Sequence, residues 1–156
     1  FTGDKQALIT NLDTRKKSRE HLSNGGSIII FPSGTVSTTN KFYQGVDKAF
    51  DPEWKKFTSR LIKQTDPQIV PIYFYGKNSL AFQLASHVND MFRASLLFHE
   101  VKRRIGSNFK FIVGDAFKYS ELNLDLSNQE LANYLRTKTY LLNPDLKEAP
   151  PYGLDI

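Results

Sequence analysis

"SIIIFPSGTVS", Ser27 to Ser37, runs three isoleucines and a phenylalanine directly into Pro-Ser-Gly-Thr. A continuous apolar run of this kind reads as a strand covered on both faces. Pro32 has no N–H to give to a ladder, so regular pairing stops there. Gly34 permits a sharp turn and lets another group come close to the backbone. Ser33, Thr35 and Ser37 place three hydroxyls within five residues. With open N–H groups beside them, such a bend can hold a phosphate or a carboxylate.

Working outward, the spacing predicts a helix over Asn11 to Ser23, with "RKK" and "RE" on its wet side and Asn24-Gly25-Gly26 as its stop. "DPEW" reads as a helix start, Asp51 capping and Pro52 in the first turn, with Trp54, Phe57 and Leu61 on one face. "QIVPIYFYG", Gln68 to Gly76, and "FKFIVGDAF", Phe109 to Phe117, are two further strand patterns. Between them, Leu80, Leu84, Val88 and Met91 make an apolar stripe flanked by Phe82 and Phe92, and helical pattern resumes from Ala94 to Arg104. Ser127 and Glu130 have capping-box spacing ahead of a helix carrying Leu131, Tyr134, Leu135, Lys138 and Leu142 on one side. Alternating strands and helices predict an α/β fold, a mostly parallel sheet flanked by helices. Residues 1–143 read as a single domain and 144–156 as a Pro-containing tail. In such sheets ligands bind at the carboxyl ends of strands, which is where Pro32 to Ser37 fall.

The chain has 156 residues, enough for a real core, with 40% hydrophobic and 24% charged residues. It has no Cys and three scattered His, which excludes a thiolate nucleophile and disulfides and argues against a zinc site. No metal is implied. A formal charge of +5 suits an anionic partner. No apolar run approaches the roughly 18 residues that a membrane span needs. "GKNS" at Gly76 to Ser79 lacks the glycine spacing of a phosphate-binding loop, and no RNA-recognition strand signature is present, so nucleic acid is not an expected partner.

"IIIFPSGTVS" resembles the Phe-Pro-Glu-Gly-Thr-Arg-Ser motif of the glycerolphosphate and lysophospholipid acyltransferase superfamily, matching at Phe31, Pro32, Gly34, Thr35 and Ser37. "IVPIYFYGKNS" resembles that superfamily's later Val-Pro motif, with Val70 and Pro71 in place. The chain is most similar to the hemolysin-like branch, which includes ornithine-lipid N-acyltransferases. That branch has a similar "FP-G-VS" loop, a "D--W" element, "VPIYF-G-NS", an Arg and a Glu in the following helices, and a closing "YLR--TY-L". Here these are Asp51 to Trp54, Val70 to Ser79, Arg93, Glu100 and Tyr134 to Leu141.

The resemblance implies transfer of a fatty acyl group from acyl carrier protein or acyl-CoA, as co-substrate, to a lysophospholipid-like or amine lipid precursor. It implies no further cofactor. Phe31, Pro32, Ser33, Gly34, Thr35, Ser37 and Pro71 would shape the acceptor site, and Arg93 with Glu100 would brace it. Ser33 stands where the motif has Glu and Val36 where it has Arg. Without that cation, a glycerol phosphate acceptor fits less well than a lysophospholipid or an amine.

The superfamily's general base is the His of a His-x-x-x-x-Asp motif. His21, His87 and His99 are followed at that offset by Gly26, Phe92 and Arg104, so none matches. The resemblance therefore implies the C-terminal portion of such an enzyme, with the base upstream and the 156-residue chain inactive alone. The basic clusters "TRKKSRE" and "EVKRRIG" suit contact with an anionic lipid surface or an acidic carrier. The expected place is the cytoplasm, peripheral on the inner face of the membrane. The alternative reading is a non-catalytic lipid- or acyl-carrier-binding module that uses the same surface.

Overall fold

The structure, a computed structural model, describes residues 5–39, 49–86 and 90–153; for 5–8, 80, 85–86 and 90–94 it describes the backbone alone. In chain order the elements are α1 (Lys5–Ser23), β1 (Thr38–Thr39), β2 (Ala49–Phe50), α2 (Lys56–Thr65), β3 (Ile72–Phe74), α3 (Leu80–Ser86), α4 (Asp90–Arg104), β4 (Phe111–Val113), a 3-10 turn (Ser120–Leu122) and α5 (Asn128–Tyr140). Leu80 and Met91, expected in the central apolar stripe, fall on α3 and α4 as backbone only, as does Phe92, and Val88 lies outside the described residues.

The expected mostly parallel sheet is not what forms. The described strands make two antiparallel pairs, β1 with β2 and β3 with β4. The reason lies in what joins β3 to β4. One helix between two strands returns the chain parallel. Here two helices, α3 and α4, intervene and pack on each other. The second helix adds one reversal to the two of a strand–helix–strand unit, and β4 runs against β3, with Ile72 opposite Val113 and Phe74 opposite Phe111.

The strand expected at Ile28 to Phe31 is absent too. The segment has no ladder partner among the described residues, and Ile29 and Phe31 are 84% and 72% exposed. The apolar run is there, but no described residue supplies the neighbour that would make it a strand.

The β3–β4 pair continues beyond a bulge. Ile69 and Phe117 exchange both backbone bonds, at 2.8 and 3.0 Å, and Gly114 N–H donates to Pro71 O at 2.9 Å. Val70 on one strand thus stands opposite Asp115 and Ala116 on the other, the signature of a β-bulge. Gly114 leaves little room for a side chain at the bulge: a Cβ there would lie 2.7 Å from the Leu142 side chain and 3.0 Å from that of Pro71, so Leu142 would have to shift.

α5 lies across this pair and carries the core. Trp54, Ile62, Leu131, Ala132 and Leu135 are buried together. Its start is fixed as expected: Glu130 N–H donates to Ser127 Oγ at 3.2 Å, and Ser127 N–H donates to the Glu130 carboxylate at 2.7 Å. The stop after α1 also forms, with Gly25 at φ +81. "DPEW", by contrast, does not start a helix. α2 begins at Lys56, and Asp51 to Lys55 lie outside any helix or strand, with Trp54 buried. Asp51 is used elsewhere.

Candidate functional site

The bend after Phe31 is a tight turn. Gly34 N–H donates to Phe31 O at 3.1 Å, and Gly34 has φ +72, which favours glycine. Ser33 is buried at 4% exposure, and its hydroxyl donates to Thr35 O at 2.8 Å. Lys55 N–H donates to Pro32 O at 2.9 Å, which ties the turn to the chain before α2.

Asp51 anchors the far end of the bend. Its carboxylate accepts from the Ser37 hydroxyl on one oxygen and from Trp54 Nε1 on the other, the latter at 3.0 Å. Its N–H donates to the Tyr140 hydroxyl at 2.9 Å. Its carbonyl accepts from Arg136 Nη2 at 3.2 Å and from Gly153 N–H at 2.9 Å. Burial, reinforced by the charge of Asp51, pushes the Tyr140 hydroxyl well above the usual phenol range. The group is therefore neutral, and its oxygen is available to accept from Asp51 N–H.

Pro71 is buried at the head of β3 and accepts from Gly114 there. Glu100 is also buried, at 3% exposure, on α4. Ser79 donates to it through both its N–H, at 3.1 Å, and its hydroxyl. Burial alone would raise the Glu100 pKa, but these bonds outweigh it, and Arg103 and Arg104 add to them. The carboxyl therefore sits below the usual glutamate range. Arg93, expected to brace the site with Glu100, lies on α4 with its side chain outside the described residues. Ser79 is the partner that Glu100 is seen to have.

A group whose folded pKa is depressed stabilises fully above its unfolded value, near 4.3 for Glu, and loses that contribution as pH falls through the folded value. The chain should thus be more stable than Glu100→Gln at pH 7, and the gap should close on acidification. Urea midpoints at pH 7 and pH 3 test this; a gap independent of pH would mean that the charge of Glu100 is not what Ser79 stabilises.

Phe31, Pro32, Ser33, Gly34, Thr35, Ser37, Pro71 and Glu100 all line one cleft of about 1770 Å³. Its walls are chiefly apolar: Ile29 and Ile30 on one side, Val70 and Ile72 on another, Leu97 and Val101 of α4 on a third. Among the described residues no cluster of His, Asp and Glu could hold a metal ion. His21 Nε2 lies 3.2 Å from Ser27 O, His99 is exposed on α4, and His87 lies outside the described residues.

The sequence reading missed Arg136, Tyr140 and Gln83. Gln83 is buried at 1% exposure; its side chain accepts from Thr39 N–H at 2.9 Å and donates to Ser37 O at 3.4 Å, holding the chain beyond the bend. Arg136 could have been found, since a cation one position after Leu135 and four before Tyr140 falls on the inner side of α5.

No family model matches the chain, and neither does any curated protein or solved structure. Among the described residues no helix is long and apolar enough to cross a membrane.

Proposed function

We propose that this chain forms the acceptor side of an acyltransferase that moves a fatty acyl group from an acyl carrier protein or acyl-CoA thioester to a lysophospholipid-like hydroxyl or an amine lipid precursor. One observation carries the reading: the Phe-Pro-Ser-Gly-Thr bend, Pro71 and Glu100, which stand far apart in sequence and resemble the superfamily's separate motifs, line a single apolar cleft.

In the reaction the acceptor oxygen or nitrogen attacks the thioester carbonyl carbon. The C–S bond breaks, the thiol departs, and the acceptor's proton goes to a general base. Among the described residues the cleft presents no histidine for that task. The superfamily resemblance assigns the base to a histidine upstream of the bend, outside these 156 residues, and on that reading the 156-residue chain is expected to be inactive alone. The bend's own contribution is polar. The N–H groups of Thr35 and Val36 have no partner among the described residues and can meet an anionic oxygen of the acceptor or of the tetrahedral intermediate.

α4 supports peripheral contact with an anionic inner membrane face. Phe98 and Val101 are exposed on it, Ile105 is exposed just past its end, and Lys102, Arg103 and Arg104 fill its last turn. The place of action would then be the cytoplasmic side of that membrane.

The test is acyl transfer by the product of the whole gene, with the 156-residue chain beside it. Labelled acyl carrier protein and acyl-CoA are the donors, and lysophospholipids, glycerol phosphate and ornithine-type amines the acceptors. Transfer by the longer product alone is the expected result. Transfer by the 156 residues would overturn the assignment of the base. No transfer by either, from folded protein, would sink the enzyme reading.

A further inference from the structure

We propose that the cleft seats one additional β-strand, an extended apolar segment of a polypeptide other than residues 1–156, which pairs with the open edge of β3 and with Ile28–Phe31. The first ground is hydrogen bonding. The N–H groups of Ile28, Ile29, Ile30 and Phe31 have no partner among the described residues, nor do the carbonyls of Ile28, Ile29 and Ile30. On β3 the bonds to β4 use Pro71 O and Tyr75 N–H, so the odd-numbered residues face β4. Ile72 and Phe74 then turn their N–H and C=O groups to the other edge, which no described strand covers. Both segments line the same cleft.

The second ground is exposure. Apolar side chains of three separate segments around the cleft stand open: Ile29, Phe31, Val70, Phe74 and Val101 are 84%, 72%, 46%, 52% and 60% exposed. The cleft volume, about 1770 Å³, is also larger than the roughly 300–1,000 Å³ of small-molecule sites. A seated strand would leave a pocket of more ordinary size.

These grounds select a polypeptide. An acyl chain or a bilayer would cover the apolar side chains but give nothing to the open N–H and C=O groups. A second copy fits poorly. Among the described residues its unpaired apolar segment, Ile28–Phe31, is hemmed between the glycine stop at Gly25 and the turn at Pro32, which would have to enter the cleft with it. A strand seated between two edges and covered on both faces is apolar along its whole length.

The probe is a synthetic peptide, Lys-Val-Ile-Val-Ile-Val-Lys, added to the 156-residue chain, with a copy N-methylated at alternate residues as control. Amide hydrogen exchange is the readout. The expected result is slowing of about tenfold or more at Ile28, Ile29, Ile30, Ile72 and Phe74 with the first peptide and none with the second. Ile29→Pro, which removes one open donor, should weaken the effect while the α5 amides stay protected, showing that the fold persists. Equal slowing by both peptides, or by dodecanoate, would mean an apolar site without strand pairing and would overturn the proposal. So would no slowing by any probe. A dimer in sedimentation that already protects these amides without peptide would assign the cleft to a second copy instead. None of these readouts involves acyl transfer, so the inference stands or falls apart from the enzymatic reading.

Discussion

Arg136→Ala should cost about 3 kcal/mol and release the tail from the body of the protein. The residue is 3% exposed and binds carbonyls from two distant parts of the chain. Nη1 donates to Pro150 O at 2.8 Å, and Nη2 donates to Pro151 O at 2.9 Å and Asp51 O at 3.2 Å. Its guanidinium also sits 4.7 Å from the centre of the Tyr140 ring and 4.5 Å from that of Tyr152. Loss of the side chain leaves three carbonyls without this donor and two rings without their cation. Arg136→Lys should restore only part of the loss, because one ammonium cannot span three carbonyls as a planar fork does.

The tail is pinned at a second point that should fail with the first. Gly153 lies against the backbone so closely that a Cβ would be 1.9 Å from Phe50 O. Urea unfolding and limited proteolysis check the prediction together: the midpoint should fall, and cleavage should begin between residues 146 and 153. A midpoint within about 0.5 kcal/mol of the parent, with the tail still resistant, would show that Arg136 is not the latch.

The elements that sequence revealed are those written in local chemistry. Ser127 and Glu130 cap α5 through bonds spanning three residues, and the glycine stop of α1 is equally local. The strand character of Ile72–Phe74 and Phe111–Val113 was legible for the same reason. Their direction was not, because it depends on whether one helix or two lie between them. Ile28–Phe31 shows the limit from the other side: four apolar residues favour a strand, but only a neighbouring backbone makes one. At the site, the hydroxyls of the bend were visible, and so was the place of Pro71. What holds them was hidden, since Asp51 looks like a helix cap from its neighbours alone. Its partners Ser37, Tyr140 and Arg136 lie up to 89 residues away.

Asp51→Ala is accordingly the substitution that should loosen the bend most. The carboxylate is the acceptor for both the Ser37 hydroxyl and the Trp54 indole N–H. Bonds to a charged acceptor contribute about 1.5–3 kcal/mol each, and a buried donor left without a partner adds its own penalty. The two share one acceptor and do not add independently, so a total loss of about 3 kcal/mol is expected. Asp51→Asn should fall between, since its amide offers one accepting oxygen and puts an N–H against one of two donors. The chain's single tryptophan makes the change observable. Trp54 is 7% exposed, so loss of its partner and of local packing should shift its emission to the red before global unfolding. Ser37 would be released at the same time, and with it the end of the bend that faces the cleft. An unshifted emission maximum together with an unchanged urea midpoint would mean that the bend is held by Lys55, Gln83 and its own turn, with Asp51 as a bystander.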